Sequence, residues 1–169
     1  MARQVSLREF QQGLAQRLRE AQAEAEPTSR LSVEAGKRSW LLKLDEAGEM
    51  LPVPEISSVP LTRPWYLGLA NIRGVLSSVV DFGAFMDGEL TVRTPDCRLL
   101  LITERFQSYS GLLISRMLGL KNIQSMELAE GVPDRPWIGA AYRDQDGRVW
   151  NELNMGALVS HDDFLQVGA

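Results

Sequence analysis

From Arg38 onward, the chain consists of short apolar runs rich in Leu, Val and Ile, separated by glycine, proline or Asp-Gly. Until the carboxyl end is reached, no long stretch repeats its apolar residues with the 3.6-residue period of a helix. Short apolar runs between turn residues are typical of β-strands, and a series of them favours a barrel or a sandwich. The sequence therefore predicts a mainly β domain.

The predicted strands are the runs in which branched aliphatic or aromatic residues dominate. They cover residues 40–44, 50–53, 56–61, 68–72, 75–82, 98–103, 112–117, 137–142 and 148–150. Residues 45–49, which contain Gly48, are predicted to form the turn of a hairpin between the first two strands. Asp144-Gln145-Asp146-Gly147 is interpreted as another hairpin turn, because the residues after it lack the oxygen ligands that a calcium loop needs.

The amino-terminal segment carries a different pattern. Ser6 and Glu9 form a capping box, and the apolar residues around and after it recur at three- or four-residue spacing: Leu7, Phe10, Leu14 and Leu18. This spacing predicts an amphipathic helix over residues 7–25. The apolar stripe of such a helix would either pack on the domain's own surface or mediate association with a partner or a second copy.

Two further boundaries follow from turn residues. Pro27-Thr28-Ser29 and then Gly36 are predicted to end the helix and open a linker. The chain is therefore divided into a helical extension with its linker, residues 1–37, and a β domain, residues 38–166. Residues 153–165 are predicted to form a short closing helix that is broken or loosened near Gly156.

Composition limits the partners and the compartment. Eighteen basic and twenty-two acidic residues give a net charge of −4, which argues against nucleic acid as a partner. The single cysteine, Cys97, excludes an intrachain disulfide and a multi-cysteine zinc site, and this fits a reducing compartment. The apolar runs are far shorter than the ~20 residues that span a bilayer. We predict a cytoplasmic protein without direct membrane insertion.

Residues that usually carry catalysis are sparse. His161, the sole histidine, lies in a polar stretch that is typical of a solvated surface. Gly36-Lys37 lacks the first glycine and the following Ser or Thr of a phosphate-binding loop. We expect no enzymatic activity, no metal and no cofactor. The alternatives are a carboxylate-based hydrolase, which would use Asp81 with Glu55 or Asp87, and a stand-alone β-barrel that binds a ligand.

The most informative segment is residues 64–82, where two apolar runs flank Arg73-Gly74. It predicts a hairpin whose tight turn leaves Arg73 in solvent at the corner, with Gly74 supplying a positive φ angle. Asp81, near the end of the second run, is predicted to be a hydrogen-bonding residue at a strand end rather than a catalytic carboxylate. From physical chemistry alone, the turn is either an ordinary hairpin or a binding corner.

The same segment resembles the signature of the CheW family, the coupling proteins of bacterial chemosensory arrays. In that signature a Gly-x-x-Asn-Leu-Arg-Gly turn precedes a Pro-Val-x-Asp-Leu strand, and the matching residues here are Gly68, Asn71, Ile72, Arg73, Gly74, Val79, Asp81 and Phe82. Residues 110–118 and 137–154 resemble the family's later strand and closing hairpin. Ser78, Ser115 and Asn154 depart from the usual proline, aspartate and aspartate. These departures and the amino-terminal extension resemble the PilI-type subgroup, which governs twitching motility through type IV pili.

The resemblance implies a fold and a role. The fold would be two intertwined SH3-like five-stranded β-barrels with a hydrophobic groove between them. The protein would be a non-catalytic adaptor, without a cofactor, that joins the cytoplasmic tip of a chemoreceptor to the regulatory domain of a CheA-type histidine kinase in membrane-associated arrays. A flagellar chemotaxis CheW protein is the alternative within the family. By position, the residues bordering or lining the receptor groove would be Asn71, Ile72, Arg73, Gly74, Val80 and Ile114.

Overall fold

The computed structural model describes residues 28–131 and 133–169. In chain order, the strands of this part of the molecule are β1 (Ser29–Ala35), β2 (Arg38–Lys43), β3 (Ala47–Pro52), β4 (Tyr66–Ile72), β5 (Val75–Asp81), β6 (Arg98–Ile102), β7 (Ser110–Ile114), β8 (Arg116–Asn122), β9 (Glu127–Leu128), β10 (Ile138–Arg143) and β11 (Val149–Leu153). They form a six-stranded sheet in the order β8-β1-β2-β11-β10-β9 and a five-stranded sheet in the order β3-β6-β7-β5-β4. The prediction of a mainly β chain is confirmed.

One hydrophobic core joins the two sheets. The first sheet contributes Trp40 and Leu42 of β2, and the second contributes Leu100 of β6 and Leu112 of β7. All four side chains are fully or almost fully buried. Burial of this apolar surface is the main favourable contribution to the free energy of folding, so the two sheets fold as one unit.

Among the described residues, three short α-helices cover the core: α1 (Phe82–Asp87), α2 (Met155–Ser160) and α3 (Asp162–Leu165). The closing helix predicted over residues 153–165 is therefore two helices, and the break falls at His161 rather than near Gly156. His161 has extended backbone angles, and its Nδ1 accepts a hydrogen bond from the backbone N–H of Asp163 at 3.1 Å. This N-cap begins a second helix instead of continuing the first.

The hairpin predicted around residues 45–49 is wrong. Strand β2 pairs with β1 and β11 in the first sheet, whereas β3 pairs with β6 in the second. The actual hairpin joins β1 to β2 through Gly36 and Lys37, and Gly36 has the left-handed φ of 61° that such a turn requires. Residues 44–46 instead carry the chain from one sheet to the other.

The segment assigned to the linker contains strand β1, Ser29–Ala35, which pairs with both β2 and β8. Its sequence does alternate apolar Leu31, Val33 and Ala35 with polar residues, the period of a strand, so this signal was overlooked when the segment was assigned to a linker. The helix predicted over residues 7–25 lies outside the described residues, and the division of the chain at residue 37 stays a prediction.

Two other predicted strands differ from the structure. Residues 56–61 form only an isolated bridge between Ser57 and Leu69, because prolines at 52, 54 and 60 interrupt regular pairing around it. The strand predicted over residues 112–117 divides at Ser115 into β7 and β8, which belong to different sheets. The turn at Asp144–Gly147 is confirmed: Gly147 has a φ of 81°, and its N–H donates to the carbonyl of Asp144 at 3.0 Å.

The resemblance implied two barrels of five strands each. The described residues form two sheets, of six and five strands, and closure of each sheet into an SH3-like barrel stays a prediction. Over the same residues, no helix is long and apolar enough to cross a membrane.

Candidate functional site

The turn between β4 and β5 has the geometry that its sequence predicts. Arg73 and Gly74 have φ angles of 50° and 84°, and Ile72 pairs with Val75 across the turn. Two consecutive positive φ angles define the type I′ turn, which matches the twist of the flanking strands. The side-chain oxygen of Asn71 accepts a hydrogen bond from the N–H of Gly74 at 2.8 Å. Asn71 and Gly74 therefore fix the turn that presents Arg73.

Arg73 is exposed but ion-paired. Its guanidinium donates two hydrogen bonds to the carboxylate of Glu49 on β3, while 70% of the Arg73 side chain remains accessible. These hydrogen bonds hold the pKa of Glu49 below its usual value and raise the pKa of Arg73. Strands β3 and β4 are the two edges of the five-stranded sheet. The sheet is thus curved strongly enough for the β4–β5 turn to contact the opposite edge.

An open cleft of 250 Å³ lies beside this ion pair. Ile72, Val75, Leu101 and Tyr109 contribute its apolar surface, while serines and the two carboxylates at its rim contribute polar groups: Glu49, Ser77, Glu104, Ser108 and Ser110. Val75 and Tyr109 are exposed. An apolar patch with an arginine and polar groups at its rim is the usual composition of a protein-binding surface.

The predicted site residues are only partly brought together. Asn71, Ile72, Arg73 and Gly74 share one corner, as the sequence predicts. Val80 and Ile114 do not line the surface: they are 2% and 1% exposed and belong to the core between the sheets. The apolar pattern did not distinguish the two positions, because most residues on the second half of β5 and on β7 are buried whichever face they occupy.

Sequence reasoning missed the residues that complete the cleft. Val75 follows Gly74 directly, so its place in the turn was the available signal. Tyr109 reaches the cleft because β5 pairs in parallel with β7, and the N–H of Ser78 donates to the carbonyl of Tyr109 at 2.9 Å. Glu49 lies on a strand whose partner was predicted incorrectly. Neither contact has a local signal in the sequence.

Asp81 has the structural role that was predicted for it. One of its oxygens accepts hydrogen bonds from the N–H of Ala84 at 3.0 Å and the hydroxyl of Thr91 at 2.7 Å. The other accepts the N–H of Thr91 at 2.8 Å. Asp81 is 1% exposed. Its carboxylate caps helix α1 and anchors the following loop, so it offers no free oxygen to a substrate, and the hydrolase alternative loses its main candidate.

The departures from the family signature have visible consequences. Ser78 donates its backbone N–H to Tyr109, which a proline could not do, and its hydroxyl lies 3.0 Å from that of Tyr66. Asn154 caps helix α2 by accepting the N–H of Ala157 at 3.0 Å, a role that asparagine and aspartate fill equally well. The N–H of Ser115 donates to the carbonyl of Glu34 at 2.9 Å, where the chain passes from β7 in one sheet to β8 in the other.

In the described residues, no group of three or more His, Cys, Asp or Glu side chains could hold a metal ion.

Comparison with known proteins defines the class. The CheW-like domain family matches residues 30–163, and the chain belongs to this family. Within it, the chain is similar to the PilI type: it is 29% identical over 154 residues to Protein PilI of Pseudomonas aeruginosa, covering 87% of this chain and 84% of that protein. The resemblance inferred from the signature residues is confirmed.

A solved structure shows the same fold. The crystal structure of the scaffolding protein TtCheW from Thermoanaerobacter tengcongensis superposes with a TM-score of 0.67 at 16% sequence identity. The match covers 81% of this chain and 95% of that one. The family is one of non-catalytic adaptors in chemosensory signalling.

Proposed function

We propose that this protein couples chemoreceptors to a CheA-type histidine kinase, and that the output of this array is twitching motility driven by type IV pili. The observation that carries the proposal is the match to PilI across 87% of the chain. The match to a scaffolding protein supports an adaptor rather than an enzyme.

The corner at Asn71–Gly74 is the proposed receptor contact. The rigid turn holds the exposed guanidinium of Arg73 at the rim of the cleft, next to the apolar side chains of Val75 and Tyr109. A helix that presents apolar side chains next to an acidic one would fit such a surface, because its apolar face can pack in the cleft while its carboxylate pairs with the guanidinium. In this arrangement the kinase would bind another face, so that one adaptor joins both proteins and shared occupancy in the array supplies affinity.

Reversal of charge at the corner tests the receptor contact. We expect Arg73→Glu to weaken binding of a receptor cytoplasmic fragment by about tenfold, because it places a repulsive charge at the rim of the interface. Arg143→Glu, on β10, reverses the charge of another exposed arginine; it is the matched control and should leave the affinity unchanged. Titration calorimetry with the receptor fragment measures both.

A second variant separates the charge of Arg73 from its ion pair. Combining Arg73→Glu with Glu49→Arg restores the pair in reverse and so preserves the contact between β3 and the turn. If the receptor reads the charge at position 73, this double variant still binds weakly. Full recovery would show that the ion pair acts only by holding the turn, and unchanged binding of Arg73→Glu itself would remove the corner from the receptor site.

The pilus output is tested in the bacterium that carries the gene. Deletion should abolish expansion of the twitching zone, wild-type protein should restore it, and Arg73→Glu should not. Swimming motility should be unaffected. Loss of swimming with intact twitching would instead identify the flagellar alternative.

A further inference from the structure

Edge strand β8 carries apolar side chains that the core leaves uncovered. Leu120 pairs with Leu31 of β1, and Met117 pairs with Val33. Residues directly opposite each other in an antiparallel pair point to the same face of the sheet. Leu31 and Val33 belong to the core and are 9% and 1% exposed, whereas Leu120 and Met117 are 67% and 47% exposed. The core-facing side of the sheet therefore extends past the core as an apolar overhang, defined by Met117 and Leu120.

Among the described residues, β8 is also an edge strand. Strand β8 ends the order of its sheet, so its outer backbone groups have no strand partner among the described residues. In the second sheet, by contrast, part of edge strand β4 is covered. The backbone of Ser57 makes two hydrogen bonds with the backbone of Leu69, at 2.8 and 2.9 Å. Long edge strands with uncovered apolar residues promote aggregation, and proteins commonly cover them with a helix or loop.

We propose that the amino-terminal segment, residues 7–25, folds as a helix and packs its apolar stripe on this overhang. The first described residue, Thr28, lies beside the end of β8, so the segment before it can reach the overhang. The carbonyl of Thr28 accepts a hydrogen bond from the N–H of Ile123, immediately after β8. Only three residues, 26–28, separate the predicted helix from β1, which is a usual length for a helix-to-strand connection. Pro27 disfavours helical geometry at residue 26 and so ends the helix there.

Length and sidedness also agree. In a helix, the stripe from Leu7 to Leu18 is ~17 Å long, and the overhang from Met117 to Leu120 spans ~10 Å of β8, so the stripe can cover the overhang. The stripe of Leu7, Phe10, Leu14 and Leu18 presents large apolar side chains along one face only.

The chain's own segment is favoured over a second copy by its attachment. A segment joined through three residues is present at an effective concentration on the order of millimolar, whereas a second molecule must also lose its rotational and translational freedom. The overhang is small, since it consists of Met117 and Leu120, and an area of that size does not hold a stable dimer.

Hydrogen–deuterium exchange on the full-length protein tests this docking. In the wild type, amides of residues 7–25 should exchange on the order of tenfold slower than in a variant that loses the contact. Leu120→Glu and Leu14→Glu each place a charge in the contact and should each remove this protection. Leu128→Glu, on exposed strand β9 at the other edge of the same sheet, and Gln12→Glu, on the opposite face of the predicted helix, are the controls and should preserve it.

The outcomes separate the possible occupants of the overhang. Fast exchange over residues 7–25 in the wild type overturns the proposal. Protection that persists in Leu120→Glu places the helix elsewhere and overturns it too. Protection that rises with protein concentration, together with a dimer by light scattering, assigns the overhang to a second copy. These results do not depend on receptor or kinase binding, so the inference can fail while the proposed function stands.

Discussion

Replacing Asp81 with alanine is expected to lower the free energy of unfolding by about 3 kcal/mol. The carboxylate is buried and accepts hydrogen bonds from the N–H of Ala84 and from the N–H and hydroxyl of Thr91. The substitution removes the cap of helix α1 and leaves these three donors without their acceptor. Urea denaturation of the full chain, followed by circular dichroism, measures the change.

Two further variants define the cause of this loss. Asp146→Ala removes an exposed carboxylate in the β10–β11 turn and should change the free energy of unfolding by less than about 0.5 kcal/mol. Asp81→Asn keeps one acceptor oxygen, but its amide N–H₂ must face one of the donors. Its free energy of unfolding should therefore lie between those of the alanine variant and the wild type. A change below about 1 kcal/mol for Asp81→Ala would show that water replaces the carboxylate.

The sequence predicts those parts of the site whose geometry is local. The turn at Asn71–Gly74 and the turn at Asp144–Gly147 each need positive φ angles and a side-chain or backbone acceptor within a few residues, and the residue types supply them. Asp81 is similar, since a carboxylate at the end of an apolar run commonly caps the next turn. Local requirements leave a direct signal in the sequence.

Contacts that depend on sheet assembly left no such signal. The Arg73–Glu49 ion pair exists because the five-stranded sheet curves enough to bring the β4–β5 turn within side-chain reach of β3, whereas the sequence had predicted a hairpin between β3 and β2. Val80 and Ile114 were assigned to a groove by position from the family resemblance, and nothing in their apolar runs distinguishes a core position from a lining position. The ion pair and the burial of these two residues both depend on which distant strands pair with each other. That pairing cannot be derived from the local pattern of a single sequence.

Gly68→Ala is expected to destabilise the protein far more than Gly74→Ala, although both glycines belong to the family signature. A Cβ atom at Gly68 would lie 2.0 Å from the carbonyl oxygen of Ser57, and the φ of 132° there is one that alanine adopts only under strain. The clash would push Ser57 away from β4 and break its hydrogen bonds with Leu69. We expect a loss of about 3 to 4 kcal/mol and a fall in Tm of roughly 10 °C, measured by calorimetry.

At Gly74 the φ is 84°, and no heavy atom lies within 4 Å of the added Cβ, so only backbone strain opposes the substitution. The expected loss is about 1 kcal/mol, and the fold remains intact. Any change in receptor affinity of Gly74→Ala therefore reports on the turn that presents Arg73, whereas Gly68→Ala reports on the covered edge of β4. Equal destabilisation by the two variants would show that the segment at Ser57 yields easily and that Gly68 serves the turn rather than the edge.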